Sequence, residues 1–244
     1  MKINQKTALI TGGARRVGRV LAESLAQRGV NLVIHYNKSQ QEALDLQEKL
    51  IKDYKISVDL FQADLCEIAE LEKKASDLIA KKTIHILINN ASSFYPTPFG
   101  EISLSDWDNL VKSNLTGPFF LTQVIAKSML EAKEGKIVNI ADWSAERPYK
   151  NFMPYSIAKA GVVAMTKILA QSLAPYIQVN TISPGAILLP EDISDELKNK
   201  LIEKAPLKRI GDPNDIAQAM LFFLEGSDFA TGANLIVDGG RLIN

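Results

Sequence analysis

Short apolar runs alternate along this chain with longer segments whose apolar residues recur every three or four positions. The run over residues 7–11, closed by Gly12 and Gly13, reads as a buried strand. Val17, Val20, Leu21 and Leu25 follow at helical spacing up to Gly29, a residue suited to a helix C-cap. The alternation predicts a strand over 31–35, a helix over 40–53, a strand over 56–62, a helix over 68–80 and a strand over 84–88. Residues 91–100, rich in serine, proline and aromatics, predict a loop. Ser105 reads as the N-cap of a long helix to about Ala132, bent at Gly117-Pro118. A strand over 136–140, a helix from Pro154 that stops before Pro175, and a strand over 177–182 come next. Residues 183–206 predict an irregular segment, mobile on the substrate side from about 186; its charged stretch from Glu191 to Glu203 reads as a flap helix or a solvated face. Asp212-Pro213 caps a helix through Glu225, and 235–237 forms a last strand. Strands separated by helices of this length build βαβ units, so the expected class is α/β: one parallel sheet covered by helices on both faces. Nothing marks a linker or repeat, and 1–244 reads as one domain.

Composition removes several function classes. Cationic and acidic side chains balance at 28 each, which gives no footprint for nucleic acid. The single cysteine, Cys66, excludes an internal disulfide and fits a reducing compartment. No apolar run is long enough for a membrane span, and the N-terminus does not resemble a signal peptide, so a cytoplasmic protein is expected. No Cys/His cluster has metal-ligand spacing, so no metal is expected.

Candidate chemistry begins at the first turn, Gly12 to Gly18. A glycine-rich turn between strand and helix puts backbone N–H groups under a dinucleotide pyrophosphate. Arg16 stands there where a middle glycine is usual. The second strand ends His35-Tyr36-Asn37-Lys38-Ser39, with no acidic residue before Glu42 to hold a ribose 2′-hydroxyl. Lys38, Ser39 and Arg16 suit a 2′-phosphate instead, so the expected cofactor is NADPH. Further on, Tyr155 and Lys159 lie four apart, on one face of a helix. A lysine charge near the phenol predicts a lowered tyrosine pKa. Asp142 ends the strand upstream, and a carboxylate, a phenol and an ammonium meet there. Blander roles fit too: Asp142 as a helix cap or ion-pair partner of Arg147, Phe94 as a surface aromatic, His35 and His85 as structural residues.

Together these motifs resemble one family. Thr11-Gly12 with Gly18, Asp64-Leu65, Asn89-Asn90-Ala91, Asn114, Tyr155 with Lys159, Pro184-Gly185 and Asp238-Gly239-Gly240 resemble the short-chain dehydrogenase/reductase family over essentially the whole chain. The resemblance implies a single-domain, Rossmann-type doubly wound parallel sheet of about seven strands. Three departures narrow it. Asp142 stands where the family usually has serine, Arg16 sits in the glycine-rich turn, and Ser92-Ser93-Phe94-Tyr95-Pro96-Thr97-Pro98 follows Asn89-Asn90-Ala91. These look like the pteridine reductases and the bacterial dihydromonapterin reductases.

That likeness implies an NADPH-dependent reduction of C=N bonds in dihydropterins or dihydrofolate, with oxidised pterins as further candidates. Asp142, Tyr155, Lys159 and Asn114 would be catalytic: Asp142 holding or passing a proton, Tyr155 relaying it, Lys159 keeping Tyr155 poised and holding the nicotinamide ribose, Asn114 supporting a water-filled proton path. Gly12, Arg16, Val17, Gly18, His35, Tyr36, Asn37, Lys38, Ser39, Asp64, Leu65, Asn90, Ala91, Tyr155, Lys159, Pro184, Gly185 and Ile187 would bind the cofactor, with Asp64 at adenine. Arg16, Ser92, Phe94, Asp142 and Tyr155 would bind the substrate, with Phe94 stacked over the pterin. Family members are commonly tetramers, so a homotetramer is implied. Two other readings compete: an NADPH-dependent carbonyl reductase of the 3-oxoacyl-acyl-carrier-protein type, and a dinucleotide-binding protein without catalysis.

Overall fold

The computed structural model describes residues 1–189 and 193–244. Seven parallel strands form one sheet: β1 (Thr7–Ile10), β2 (Asn31–Tyr36), β3 (Val58–Gln62), β4 (Ile86–Asn89), β5 (Gly135–Ile140), β6 (Ile177–Pro184) and β7 (Asn234–Val237). Their order is β3-β2-β1-β4-β5-β6-β7. The connecting helices are α1 (Arg16–Ala26), α2 (Gln40–Tyr54), α3 (Ile68–Ile79), α4 (Leu104–Val111), α5 (Gly117–Ala132), α6 (Met153–Leu173), α7 (Asp195–Lys204) and α8 (Pro213–Leu221). None of the described helices is long and apolar enough to cross a membrane.

The side-chain alternation of each strand sorts the core into two layers. Ile10, Ile34 and Ile88 point to one face and pack with Leu21 and Leu25 of α1, Leu46 of α2 and Met220 of α8. Leu9, Val33, Leu87 and Ile137 point to the other and pack with Leu71 of α3 and Leu121 and Met129 of α5. Leu87 is fully buried; its truncation to alanine costs about 2–5 kcal/mol in such a setting. The strand order reverses between β1 and β4, and the crevice beyond their carboxyl ends is where an open α/β sheet binds its ligand.

Several boundaries differ from the periodicity reading. α1 ends at Ala26, before Gly29, and Gly29 serves the following turn at φ +71°. Ser103, not Ser105, caps α4: its hydroxyl accepts from the Asp106 amide while the Asp106 carboxylate accepts from the Ser103 amide. The long helix predicted to Ala132 is broken by a π turn at Lys112–Thr116, just before the Gly117-Pro118 pair. Pro118 stands in the first turn of α5, directly after the π turn. Gly117 is required by contact: a Cβ there would run into the Leu65 carbonyl oxygen. Within the segment expected to be irregular, α7 forms under a Ser194 cap. Residues 190–192, including Glu191 at the start of the expected flap, lie outside the described residues.

Candidate active site

A cavity of about 470 Å³ opens at the carboxyl ends of β1 and β2. Gly12, His35, Tyr36, Asn37, Lys38, Ser39, Asp64, Leu65 and Ala91 all line it, as expected for a dinucleotide. The turn at its base is shaped by contacts that only glycine permits. Gly12 has φ +60°, and a Cβ on Gly18 would collide with the Gly12 carbonyl. His35 holds this turn from below. The Gly12 amide donates to Nδ1 at 3.0 Å, and Nε2 donates to the Ala63 carbonyl at 3.1 Å. Burial pushes the imidazole down to about 4, so it is neutral at physiological pH and its tautomer follows from those two bonds. Asn90 spends its amide on the Thr11 and Gly12 carbonyls, at 2.9 and 3.2 Å, and so braces the turn.

The two adjacent arginines part company here. Arg15 is extended, at φ −137°, and lines the dinucleotide cavity with Lys38 and Ser39. Arg16 adopts the left-handed φ of +50° at the place where a glycine is usual. Its guanidinium therefore turns the other way and donates to the Leu188 carbonyl at 3.0 Å. Of the two, Arg15 is thus the one that lines the dinucleotide cavity, and Arg16 lines the larger cavity beside it. Glu42, 3.5 Å from Arg15, is an ion-pair partner on the solvent side.

A larger cavity, of about 810 Å³, continues from Asn90 and Val17 past Tyr155 and Lys159 to Pro184, Gly185 and Ile187. Its reactive edge is a connected group. The Tyr155 hydroxyl donates to Asp142 Oδ2 at 3.1 Å. Asp142 Oδ1 accepts from the Ser144 amide at 2.7 Å, so the carboxylate caps the 3₁₀ turn Trp143–Ala145 as well as facing the phenol. Lys159 donates to the Ile140 carbonyl at 2.9 Å, and its ammonium lies 5.7 Å from the Tyr155 ring centroid. Arg147 bonds the Asn244 backbone and does not pair with Asp142.

Burial dominates the electrostatics of this group. It raises the Asp142 pKa, against the pull of Ser144, Lys159 and Tyr155. It brings Lys159 down to about 8, against the pull of Asp142. Burial, then the Asp142 charge and hydrogen bond, push the Tyr155 phenol well above its ordinary value. The lowering expected from Lys159 is therefore overturned: burial outweighs it, and the group hydrogen-bonded at the phenol oxygen is the Asp142 carboxylate. Tyr155 stands as an O–H donor at neutral pH.

The loop after β4 forms the opposite wall. Asn114 sits in the π turn, and its amide donates to the Ser93 and Leu110 carbonyls, each at 2.9 Å. Its Oδ1 accepts from the Ser92 hydroxyl at 2.7 Å. Asn114 here fastens the loop, and Ser92 keeps lone pairs, though no free proton, for a ligand. Phe94 is exposed over half its surface and stacks on Phe152, with centroids 4.4 Å apart and planes within 5°. It meets Tyr155 edge-on at 4.8 Å. One face of Phe94 is thus already used by the protein, which leaves the other for a flat substrate. Thr97 and Phe152 form a parallel bridge, and the Thr97 amide donates to the Asn151 carbonyl at 2.6 Å, which clamps the two walls together.

Sequence reasoning passed over Arg15, Cys66 and Asn109 on the dinucleotide side, and Tyr149, Phe152, Leu197, Leu201 and Arg241 on the substrate side. Tyr149 and Phe152 lie between Asp142 and Tyr155, and aromatic density in that stretch was a usable signal. Leu197 and Leu201 line the cavity from one face of α7, a spacing visible in the sequence.

A parallel sheet with its glycine-rich turn at the switch point, and a Tyr/Lys pair beside it, defines a dinucleotide-dependent oxidoreductase. The sequence profile of a family described as enoyl-(acyl carrier protein) reductase matches residues 12–241. The chain is 33% identical to the 3-oxoacyl-[acyl-carrier-protein] reductase FabG of Aquifex aeolicus, over 98% of each protein. It is 34% identical to the L-rhamnose 1-dehydrogenase (NADP(+)) of Thermoplasma acidophilum, over 98% of this chain and 97% of that one. A crystal structure from Agrobacterium tumefaciens, provisionally named a gluconate dehydrogenase, superposes with a TM-score of 0.92 at 29% identity, covering 99% of this chain and 97% of that one. The chain belongs to the short-chain dehydrogenase/reductase family and is an oxidoreductase that uses a nicotinamide cofactor. These relatives are not pteridine reductases, and their names speak for carbonyl reduction more than for pterin reduction.

Proposed function

We propose that this enzyme reduces C=N bonds of pterins with NADPH. The observation that carries this reading is the Asp142–Tyr155 hydrogen bond, at the place where a carbonyl reductase of this family has a serine. An ionised carboxylate only accepts hydrogen bonds, and it disfavours charge on a developing oxyanion. A carboxyl group with a raised pKa does suit a ring nitrogen that must gain a proton. Arg15, Lys38 and Ser39 fit the 2′-phosphate of NADPH, and the Gly12–Gly18 turn fits its pyrophosphate. When bound, NADPH supplies the hydride. Once protonated, Asp142 passes its proton to the nitrogen through the Tyr155 hydroxyl, which then turns from donating to the carboxylate to accepting from the carboxyl. Lys159 offers its charge beside the pair, and Phe94 presents its open face to a flat heterocycle.

A second reading is favoured by the relatives: carbonyl reduction of the 3-oxoacyl-acyl-carrier-protein type, with Tyr155 donating to the carbonyl oxygen. NADPH oxidation by the pure protein with dihydrobiopterin, dihydrofolate and an acetoacetyl thioester separates the two. Turnover of the pterins supports the first reading; turnover of the thioester alone overturns it. Exposed Phe119 on α5, and Ile157 and Ile168 on α6, support a homotetramer built on these helices, which size-exclusion chromatography with light scattering tests. The lone thiol and the absence of a spanning helix among the described residues support a cytoplasmic site of action.

A further inference from the structure

A smaller cleft of about 260 Å³ adjoins the substrate cavity, lined by Trp143, Arg147, Pro148, Tyr149, Lys204, Arg241 and Asn244, whose oxygen already engages Arg147. Tyr149 and Arg241 line both spaces, so the cleft is a side chamber of the active site. Arg241 comes from the far end of the chain and lies over the Trp143 indole, 4.4 Å from its centroid. Arg147 gives one N–H to the Asn244 backbone oxygen at 2.7 Å, and the Asn244 amide donates to the Lys204 carbonyl at 2.8 Å. All three cationic residues line this one opening. Among the described residues, none of the three is ion-paired to an acidic side chain. The chain has equal numbers of cations and carboxylates, so such a gathering is a local excess of positive charge.

We infer that this chamber is a subsite for an aryl-carboxylate arm of the substrate, of the p-aminobenzoyl-glutamate type. The aryl ring packs on Tyr149 and Pro148, and the carboxylates meet the Arg147 and Arg241 guanidiniums, whose forked donors match a carboxylate, with Lys204 adding charge. Tyr149 is neutral, since burial and the Asp142 charge raise its pKa, and so it does not repel the arm. The inference rests on the pterin reading for the head of the substrate. Its consequence is a preference for dihydrofolate over a dihydropterin with a neutral side chain.

Two measurements test it on the full-length protein. In an Arg147→Gln/Lys204→Gln double variant, the ratio of KM for dihydrofolate to KM for dihydrobiopterin should rise about tenfold, with kcat for dihydrofolate held. Both positions are exposed, so the fold should persist, which circular dichroism verifies. An unchanged ratio, or an equal rise in both KM values, overturns the subsite. Calorimetric titration with p-aminobenzoyl-glutamate alone should show saturable binding to the wild type that weakens at least about tenfold in the double variant. No binding, or binding that the variant leaves intact, overturns the subsite as well. The titration does not depend on turnover, so failure of the pterin reading appears separately, as inactivity on both pterin substrates with the fragment still bound.

Discussion

Tyr155 donates its phenolic hydrogen to one oxygen of Asp142 at 3.1 Å, while the other oxygen of the same carboxylate caps the next turn through the Ser144 amide at 2.7 Å. The structural and the chemical roles of Asp142 are therefore one arrangement. The cap fixes the carboxylate, and the fixed carboxylate aims at the phenol. Its orientation is preorganised before any ligand arrives.

Asp142→Ser should lower kcat/KM for a dihydropterin by roughly 10²- to 10⁴-fold, the range for loss of a positioned proton donor. NADPH affinity should stay within about threefold of wild type, because Asp142 lies away from the dinucleotide cavity. Steady-state kinetics and a fluorescence titration read the two effects. A Ser variant as active as wild type would show that the proton does not pass through this carboxylate.

Because burial raises the Asp142 pKa, its protonated form persists above the ordinary carboxylate range. If that form delivers the proton, kcat/KM should be highest below the raised pKa and fall as pH rises through it. Asp142→Asn keeps the cap oxygen but has no proton to give. Its residual activity should lose that limb in a pH–rate profile. A limb that survives in the Asp142→Asn variant belongs to another group, with Lys159, at about 8, the first to examine.

Arg15→Ala and Lys38→Ala should each cut the preference for NADPH over NADH by about tenfold, the scale of one charge-assisted contact with phosphate. The kcat/KM with NADH should move little. Arg16→Ala should instead raise KM for the reducible substrate. Kinetics with both cofactors decide between the two arginines, and a loss of NADPH preference on Arg16→Ala alone would reverse their assignment.

His35 has a pKa of about 4 in the fold against 6.5 for a free imidazole. Between those values the unfolded chain binds the proton that the folded chain refuses. Stability from the neutral imidazole is therefore complete above pH 6.5 and is lost as pH falls to 4, on the order of 3 kcal/mol. His35→Asn keeps an acceptor for the Gly12 amide and cannot titrate. Its melting temperature should be lower at pH 7, yet fall less between pH 7 and pH 4.5 than that of wild type, by roughly 5–10 °C. Parallel losses in the two proteins would place the acid sensitivity elsewhere.

Period-two and helical patterning are local properties, so they determined the βαβ succession, the parallel sheet and the glycine-rich turn from the sequence by itself. The Tyr155/Lys159 pair was equally legible, because a spacing of four on a helix needs no tertiary knowledge to share a face. Asp142 was readable as the departure that matters, since its position relative to Tyr155 is fixed along the chain.

What only the tertiary structure decided lies wherever neighbours in space are distant in sequence or a single backbone angle chooses a direction. The left-handed φ of Arg16 sends two adjacent arginines into different cavities. The π turn holds Asn114 where its amide meets the Ser93 carbonyl of a loop 21 residues upstream. The Tyr155 pKa rises because the fold buries the phenol and places the Asp142 carboxylate against it. Arg241 reaches Trp143 across nearly the whole second half of the fold, and no pattern in the sequence announces that meeting. Pattern reveals which residues share a face; charge, burial and direction at a site are set by what the rest of the chain packs against it.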